Sequence, residues 1–378
     1  MNVTIAIDSF KESATSTELA EAIKKGIAPY VNQISTVPIS DGGEGTIEAL
    51  SAAFQGEIKS VETVNSFGES INAEYLVTKI NGQMTAVVES AKVVGLHYSK
   101  GRTEQAYLAN SYGLGLLLSK IIAHGITQII ITLGGSGTTD GGLGMLQGLG
   151  VELLDSANQK LPVNWQNPLL SASSISLESL DQIGANCNLI IANDVENPYC
   201  GATGAAKIFG PQKGLTEEQI NRLDDKLCKI SVNLHSLGAL DLRTTLGAGA
   251  AGGLGGAFAL LGARMQAGFP LIADLVNLEE KIKQSDWVIT GEGKFDAQSS
   301  AGKVPYGVAS LAKKHGVKTI VLCGSYDSLP ENSLFDGIFS IQPGPVTLQK
   351  AMEINYTLDN IQQVSGQLFQ MLAAMKKD

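Results

Sequence analysis

Short apolar runs alternate with helical spacing at both ends of the chain. Residues 3–7 form a β-branched run that is typical of a buried strand, and apolar residues then recur on one helical face through residue 27. A second run at 34–39 is again followed by helical spacing, and the pattern returns at 287–290, 303–314 and 319–323. Strands that alternate with helices in this way predict a parallel sheet covered by helices.

The rhythm changes in the middle of the chain. Three strand-like segments between residues 57 and 90 are separated by Asn and Gly turns, with no room for crossover helices. This pattern predicts an antiparallel meander and a domain boundary near residue 62. We therefore predict a two-domain α/β protein, with a discontinuous parallel-sheet α/β domain at residues 1–62 and 285–378 and a second mixed α/β domain inserted at residues 63–284.

The sequence QIIITLGGSGTTDGGLG, residues 128–144, is the clearest candidate for a binding site. A buried strand runs into a loop with five glycines, and helical spacing resumes after it. Glycines permit left-handed backbone and close approach of a ligand, and a strand, glycine loop and helix start in this order aim backbone N–H groups at phosphate. A turn without a ligand is the alternative, although such a turn needs only one or two glycines. The predicted phosphate- or nucleotide-binding residues are Gly134, Gly135, Ser136, Thr138, Asp140 and Gly141.

Five aspartates follow predicted strands in similar loops, namely Asp8, Asp41, Asp140, Asp194 and Asp296. A single one is explained equally well as a turn former, but five repeats indicate a shared function. Phosphoryl transfer needs a phosphate cradle, acids for Mg²⁺, a cation, and a carboxylate that orients the acceptor hydroxyl. We assign Asp296 to the acceptor hydroxyl, because Gly291 and Gly293 predict a flexible, exposed loop, and Asp194 to the metal. The cations nearest such loops are Lys11, Lys213, Lys294 and Lys303.

Two other phosphate-binding signatures bear on the class of enzyme. No G-x-x-x-x-G-K-[ST] motif exists in the chain, which argues against a P-loop enzyme. Residues 247–252 match G-x-G-x-x-G, so an NAD(P)-dependent oxidoreductase is an alternative, but the residues before the motif do not resemble a buried strand. A non-catalytic effector-binding module is a second alternative, against which the five loop aspartates argue.

Composition narrows the range of partners and compartments. The 378 residues carry a net charge of −10 and no basic patch, which disfavours nucleic acid and membrane surfaces. The four cysteines have no C-x-x-C spacing, so we predict reduced thiols. The amino terminus lacks the features of a signal peptide, and the apolar stretch 246–263 is too rich in glycine for a membrane span. We therefore expect a cytoplasmic protein with a small-molecule substrate, and leave a homo-oligomer open.

Several of these motifs occur together in the order found in one known family. The blocks are Asp8-Ser9-Phe10-Lys11, Asp41-Gly42-Gly43-Glu44-Gly45, Gly134-Gly135-Ser136 with Asp140-Gly141-Gly142, Asp194 with Asn197-Pro198, Gly210-Pro211-Gln212-Lys213-Gly214, Gly247 to Gly255, and Gly291-Glu292-Gly293 with Asp296 and Gln298. Together they resemble the bacterial glycerate kinases. The chain departs from the usual pattern at Glu12, where that family has glycine, and at Thr139, where it has asparagine.

The resemblance implies an ATP- and Mg²⁺-dependent kinase with an inserted domain. We predict phosphorylation of D-glycerate, with 2-phosphoglycerate favoured over 3-phosphoglycerate, by in-line transfer in the interdomain cleft. The predicted catalytic residues are Lys11, Asp194 and Asp296, with Asp194 also the metal ligand. The predicted substrate-binding residues are Asp8, Ser9, Asp41, Glu44, Arg264 and Lys294.

Overall fold

The computed structural model describes residues 1–295, 303–326 and 334–375. The chain forms two compact units, one made of Met1–Gln55 with Gly268–Asp378 and the other of Gly56–Ala267. It therefore leaves the first unit, builds the second, and returns to the first. The expected boundary after residue 62 falls inside a strand of the second unit, and the segment between 268 and 284 belongs to the first unit.

Strands and helices alternate at both ends of the chain, as the hydrophobic pattern predicts. The described strands are β1 (Asn2–Ile5), β2 (Gln33–Thr36), β3 (Glu57–Val64), β4 (Ser70–Ile80), β5 (Gln83–Glu89), β6 (Gln128–Thr132), β7 (Leu153–Leu154), β8 (Ser174–Ile175), β9 (Asn188–Ala192), β10 (Arg264–Gln266), β11 (Trp287–Phe295), β12 (Lys318–Tyr326) and β13 (Gly337–Ser340). The described α-helices are α1 (Ser16–Ile27), α2 (Thr46–Phe54), α3 (Ala91–Val94), α4 (Tyr112–Ala123), α5 (Leu143–Leu149), α6 (Leu177–Gly184), α7 (Ala205–Phe209), α8 (Glu217–Ser236), α9 (Ala250–Leu260), α10 (Gly268–Leu275), α11 (Leu278–Lys283), α12 (Val304–Lys314), α13 (Leu348–Ala351) and α14 (Ile354–Met375).

The first unit contains a parallel sheet. Its strand order is β13-β12-β11-β1-β2, and every neighbouring pair is parallel. Helix α1 packs on this sheet through an apolar face that includes Leu19, Ile23 and Ile27, all of them buried. In a parallel sheet the carboxyl ends of the strands lie at one edge, which is where open α/β sheets bind ligands.

The second unit contains a mixed sheet in the order β10-β9-β6-β5-β4-β3. β3, β4 and β5 form the predicted antiparallel meander, whereas β5, β6, β9 and β10 are parallel. β6 is central and all five of its residues are buried, in agreement with its continuous apolar sequence. Together with the parallel sheet of the first unit, this arrangement confirms the predicted α/β class.

The start of α1 fixes the end of β1. Thr15 is the N-cap, because its hydroxyl accepts from the N–H of Glu18 while the Glu18 carboxylate accepts from the N–H of Thr15. The next residue, Ser16, donates its hydroxyl to the carbonyl O of Ile7 at 2.7 Å. It therefore holds the segment that leads into Asp8.

β11 is longer than the apolar pattern predicts. The strand continues through Phe295, which pairs with Tyr326 of β12. Gly291 allows close packing here, because an added Cβ would lie 1.8 Å from the carbonyl O of Leu322. The prediction of a flexible, exposed loop at Gly291 and Gly293 is therefore wrong, since both glycines belong to a paired strand.

Two cysteines differ from the expectation of reduced thiols. Cys200 and Cys228 form a disulfide that joins the segment after β9 to α8, whereas Cys187 and Cys323 are free. The prediction is wrong for the bonded pair. Sequence spacing does not reveal it, because the two residues are 28 positions apart and meet only when α8 folds back over the segment that contains Cys200.

The apolar stretch 246–263 forms a turn that leads into α9, as predicted. In the described ranges, no helix combines the length and the apolar character that a membrane crossing requires.

Candidate active site

The glycine loop, defined as residues 134–142, joins β6 to α5 in the second unit. Gly135 and Gly142 have φ values of 67° and 71°, in the left-handed region that favours glycine. A Cβ on Gly142 would lie 2.5 Å from the Cβ of Ala257, so the inner side of the loop has no room for a side chain. The glycines thus serve both backbone conformation and close packing.

Asp140 belongs to the glycine loop and its side chain is fully buried. Its Oδ2 accepts from the N–H and hydroxyl of Ser111 at 2.7 and 2.6 Å and from the N–H of Gly144 at 3.3 Å, and its Oδ1 accepts from the N–H of Gly142 at 3.0 Å. Burial raises the pKa of the carboxyl group, while these hydrogen bonds act in the opposite direction. We infer that Asp140 fixes the shape of the loop. Sequence reasoning missed Ser111, which lies before α4 and far from the loop in sequence.

Lys213 reaches the glycine loop from the segment between α7 and α8. It is 2% exposed, and its Nζ donates to the carbonyl O of Thr138 at 2.5 Å, with Ser136 Oγ at 3.5 Å and Thr139 Oγ1 at 3.4 Å. Burial lowers the pKa of Lys213 to about 7, and the nearby charge of Asp140 raises it. The sequence marks Lys213 as a candidate cation, through its place in the motif at 210–214, but does not include it among the predicted site residues.

The glycine-rich segment 247–253 packs on the inner side of the glycine loop. The N–H of Gly141 donates to the carbonyl O of Gly252 at 3.0 Å, and a Cβ on Gly252 would lie 1.9 Å from the carbonyl O of Thr138. Residues 242–249, which precede α9, form turns and a bend. A dinucleotide fingerprint requires a strand before its glycines, so the structure does not support the oxidoreductase alternative.

The first unit has its own acidic cluster at the carboxyl edge of the sheet. Asp8 follows β1, is 9% exposed, and accepts a hydrogen bond from the N–H of Ser9 at 2.7 Å. The pKa of Asp8 is raised to about 8, chiefly by burial and then by the negative charges of Asp41 and Glu292, against the effects of the Ser9 N–H and of Lys11. A pKa raised in this direction favours the protonated carboxyl group, and a protonated carboxyl group is a donor as well as an acceptor.

Glu292 belongs to this cluster although the sequence did not mark it as a site residue. Its Oε2 accepts from Lys303 Nζ at 3.3 Å, and its Oε1 is buried with no hydrogen-bond partner among the described residues. Burial raises the pKa of Glu292, and Lys303 lowers it. An unpartnered buried carboxylate oxygen is costly, which favours a ligand that donates to it.

The other predicted residues of the first unit lie around this cluster or at its surface. Ser9 and Asp41 are half-buried, and Asp41 Oδ1 accepts from the N–H of Gly43 at 2.9 Å in a tight turn. Three other predicted residues have exposed side chains, namely Lys11, Glu44 and Lys294. Asp296, the predicted acceptor-side catalytic residue, lies outside the described residues.

The remaining predicted residues of the second unit are spread over its sheet. Gly134 is exposed at the start of the glycine loop, and Asp194 is exposed after β9. Arg264 is exposed on β10 and its Nη2 donates to Asn188 Oδ1 at 3.2 Å, at the beginning of β9. The structure thus places the Arg264 guanidinium toward the opposite end of β9 from Asp194.

The backbone conformation at residue 12 shows why the glycerate kinases that this chain resembles usually have glycine where it has Glu12. Its φ is 60°, in the left-handed region that favours glycine. The turn is closed by reciprocal hydrogen bonds between the backbones of Phe10 and Ala14 at 2.8 and 3.0 Å. The glycine that this position usually carries is therefore the residue that the backbone prefers.

The residues present fit a magnesium ion bound largely through phosphate. Among the described residues, no group of three His, Cys, Asp or Glu side chains could enclose a metal. Mg²⁺ in kinases needs only one or two carboxylates in addition to substrate phosphates and water. Asp194, which is exposed after β9, is the carboxylate that the sequence predicts for this role, and a bound ion would neutralise phosphate charge.

A glycine loop of the kind that can accommodate phosphate in one α/β unit and an acidic cluster in the other are features expected of a phosphotransferase. The model of the glycerate kinase family matches residues 3–373. The chain is 38% identical to the glycerate 2-kinase of Escherichia coli (strain K12), with 99% of this chain and 98% of that protein covered. It is also 38% identical to the glycerate kinase of Halalkalibacterium halodurans, with 93% of each covered.

A solved structure agrees with these sequence relatives. The crystal structure of a Salmonella typhimurium LT2 protein designated glycerate kinase 2 superposes with a TM-score of 0.86 at 35% identity, covering 100% of both chains. The chain belongs to the glycerate kinase family and is an enzyme of that family.

Proposed function

We propose that this protein transfers the γ-phosphoryl group of ATP to D-glycerate and forms 2-phosphoglycerate, with Mg²⁺ as the metal. Membership of the glycerate kinase family supports the substrate, and the name of the Escherichia coli relative, glycerate 2-kinase, supports the 2-hydroxyl as acceptor. The observation that carries the nucleotide half of the proposal is the glycine loop. Its conformation leaves backbone N–H groups and hydroxyls available to phosphate oxygens while Asp140 holds its shape.

The nucleotide phosphates bind the glycine loop of the second unit. The close approach of backbone to phosphate at the exposed Gly134 and Gly135 requires the absence of side chains. The predicted phosphate contact at Gly141 is not part of this proposal, because Gly141 is buried and its N–H donates to the carbonyl O of Gly252. Ser136 and Thr138 contribute hydroxyl groups as additional donors. Asp194 contributes a carboxylate to the magnesium ion, whose ordinary ligands are oxygen atoms.

Glycerate contacts the acidic cluster of the first unit. A protonated Asp8, which its raised pKa favours, donates a hydrogen bond to the substrate carboxylate or hydroxyl without charge repulsion. Ser9 supplies a hydroxyl beside it, and Asp41 accepts from a substrate hydroxyl. Glu44, Arg264 and Lys294 stay predicted substrate contacts, and Lys11 and Asp296 stay predicted catalytic residues. We place the enzyme in the cytoplasm.

A spectrophotometric experiment separates this function from the oxidoreductase alternative. The purified protein is given D-glycerate with either MgATP or NAD(P), and ADP release and absorbance at the nicotinamide wavelength are followed in parallel. We expect ADP release that depends on both glycerate and Mg²⁺, and no absorbance change with NAD(P). Hydride transfer without ADP release would reject the proposal.

The metal assignment has a separate test. Asp194→Asn removes one charged oxygen ligand, so we expect a higher Mg²⁺ concentration for the half-maximal rate at saturating glycerate and ATP. Glu196→Gln, an exposed acid in the same segment, is the matched control. If both variants titrate with Mg²⁺ as the unmodified enzyme does, Asp194 is not a metal ligand.

A further inference from the structure

Lys213 carries a positive charge into the interior of the second unit without an ion-pair partner. Its ammonium contacts a carbonyl oxygen and two hydroxyl oxygens, and among the described residues no carboxylate oxygen lies within ion-pairing distance. A buried ammonium is costly unless it is paired or hydrogen-bonded. Three neutral oxygens solvate this ammonium but do not neutralise its charge.

In the glycine loop next to Lys213, several hydrogen-bond donors have no acceptor among the described residues. Thr138 Oγ1 is buried and has no hydrogen-bond partner among the described residues. In the same described ranges, the backbone N–H groups of Thr138 and Thr139 have no acceptor, although both residues are buried. Buried donors without acceptors are costly, so several in one loop indicate an acceptor-rich ligand.

The nearby acid does not neutralise Lys213 by direct contact. Asp140 uses both carboxylate oxygens to accept from Ser111, Gly142 and Gly144. The hydroxyl of Tyr199 donates to the carbonyl O of Gly141 at 2.7 Å and is therefore also committed to the loop. Asp140 is therefore the charged group of the glycine loop that acts on Lys213, and it does so without direct contact.

We propose that Lys213 supplies the positive charge of a polyphosphate subsite formed by the glycine loop. It acts in part as a positioning residue, because its bond to the carbonyl O of Thr138 turns that carbonyl inward and leaves the donors of the loop for the ligand. Gly252 makes this possible, since a Cβ there would lie 2.9 Å from Lys213 Nζ. The inference rests on the proposed function for the identity of the anion, ATP.

Anion binding at this subsite changes the protonation of Lys213. An anion bound close to Lys213 favours the charged ammonium, so binding raises the pKa of Lys213 above its value of about 7 in the free protein. Near neutral pH, ATP binding therefore takes up a fraction of a proton at this site. An arginine at position 213 stays charged and takes up none there.

Calorimetric titration of the full-length enzyme tests the proposal. ATP and inorganic tripolyphosphate are titrated in two buffers of different ionisation enthalpy near pH 7, into the unmodified protein, Lys213→Met, Lys213→Arg and the control Lys207→Met. Lys207 is an exposed lysine on α7 that is hydrogen-bonded to Asn221. We expect Lys213→Met to weaken both ligands about 10- to 100-fold, the loss of one charged hydrogen bond, and to lower the buffer-dependent proton uptake by the part that Lys213 takes up.

Lys213→Arg keeps the proposal testable if the methionine variant does not fold. It is expected to retain ATP binding better than Lys213→Met and to show the same lowered proton uptake, while Lys207→Met matches the unmodified protein and the KM for glycerate changes less than about twofold. Unchanged affinity and proton uptake in both Lys213 variants would overturn the proposal, as would weakened ATP binding with normal tripolyphosphate binding. Lys213-dependent tripolyphosphate binding in a protein that does not phosphorylate glycerate would contradict the proposed function and leave the subsite intact.

Discussion

Gly135→Val tests whether the glycine loop binds nucleotide phosphate. Gly135 has a φ of 67° and is exposed, and an added Cβ would meet only the Cβ of Ala91, at an ordinary contact distance of 3.5 Å. The substitution therefore creates no steric clash at the Cβ position. It places a branched side chain where we expect phosphate to approach the backbone.

The cost to stability comes from the backbone. A residue other than glycine in the left-handed region costs about 1–2 kcal/mol. Gly125, in the turn between α4 and β6, offers a matched control, because its φ is 81° and a Cβ there would meet nothing within 4 Å. Gly125→Val carries the same kind of strain in a place with no proposed ligand.

Urea denaturation and steady-state kinetics separate the two effects. We expect both variants to lose about 1–2 kcal/mol of unfolding free energy. Gly135→Val alone should raise the KM for ATP by about tenfold or more, which corresponds to about 1.4 kcal/mol of lost binding. The reasoning is refuted if Gly135→Val has the ATP kinetics of Gly125→Val.

Three further predictions concern pH, backbone strain and the disulfide. Because the pKa of Asp8 is raised to about 8 in the folded state, the folded protein binds more protons than the unfolded chain between the two pKa values, so the stability falls as pH rises to about 9. In EDTA, the melting temperature of Asp8→Asn should fall less over this range than that of the unmodified protein. Parallel plots of melting temperature against pH for the two proteins would contradict this prediction. Glu12→Gly should raise the unfolding free energy measured in urea by about 1 kcal/mol, because φ at residue 12 is 60°. The helical control Glu21→Gly should lower the unfolding free energy by a similar amount. A lower unfolding free energy in both variants would refute the strain argument. Cys200→Ser with Cys228→Ser should cost about 3–4 kcal/mol in urea relative to the oxidised protein, as expected for a loop closed over 28 positions, and no difference from the oxidised protein would show that the pair is not bonded in solution.

The predictable part of the fold is local. The buried strand β6, the meander β3–β5 and the alternation around β1 and β2 follow from apolar periodicity, which a sequence displays directly. The end of β11 did not follow, because Gly291 and Gly293 have the composition of a loop and become a strand only by pairing with β12. Propensity is overridden there by tertiary packing.

The candidate site likewise has a part that is local in sequence and a part that depends on tertiary contacts. The glycine loop and its composition are contiguous in sequence and could be predicted. Its supports, Ser111 and Lys213, are distant in sequence and contact Asp140 and Thr138 only in the folded unit. The pairing of Cys200 with Cys228 likewise depends on how α8 folds back, which no spacing rule encodes.

Phosphorus NMR of the reaction mixture tests the central claim most directly. The purified enzyme is mixed with MgATP and D-glycerate, and the products are identified against authentic 2-phosphoglycerate and 3-phosphoglycerate, with L-glycerate as the control substrate. We predict ADP and a single new phosphomonoester resonance that coincides with 2-phosphoglycerate. A resonance that coincides with 3-phosphoglycerate would contradict the proposed acceptor hydroxyl, and unchanged ATP would contradict the proposed function as a whole.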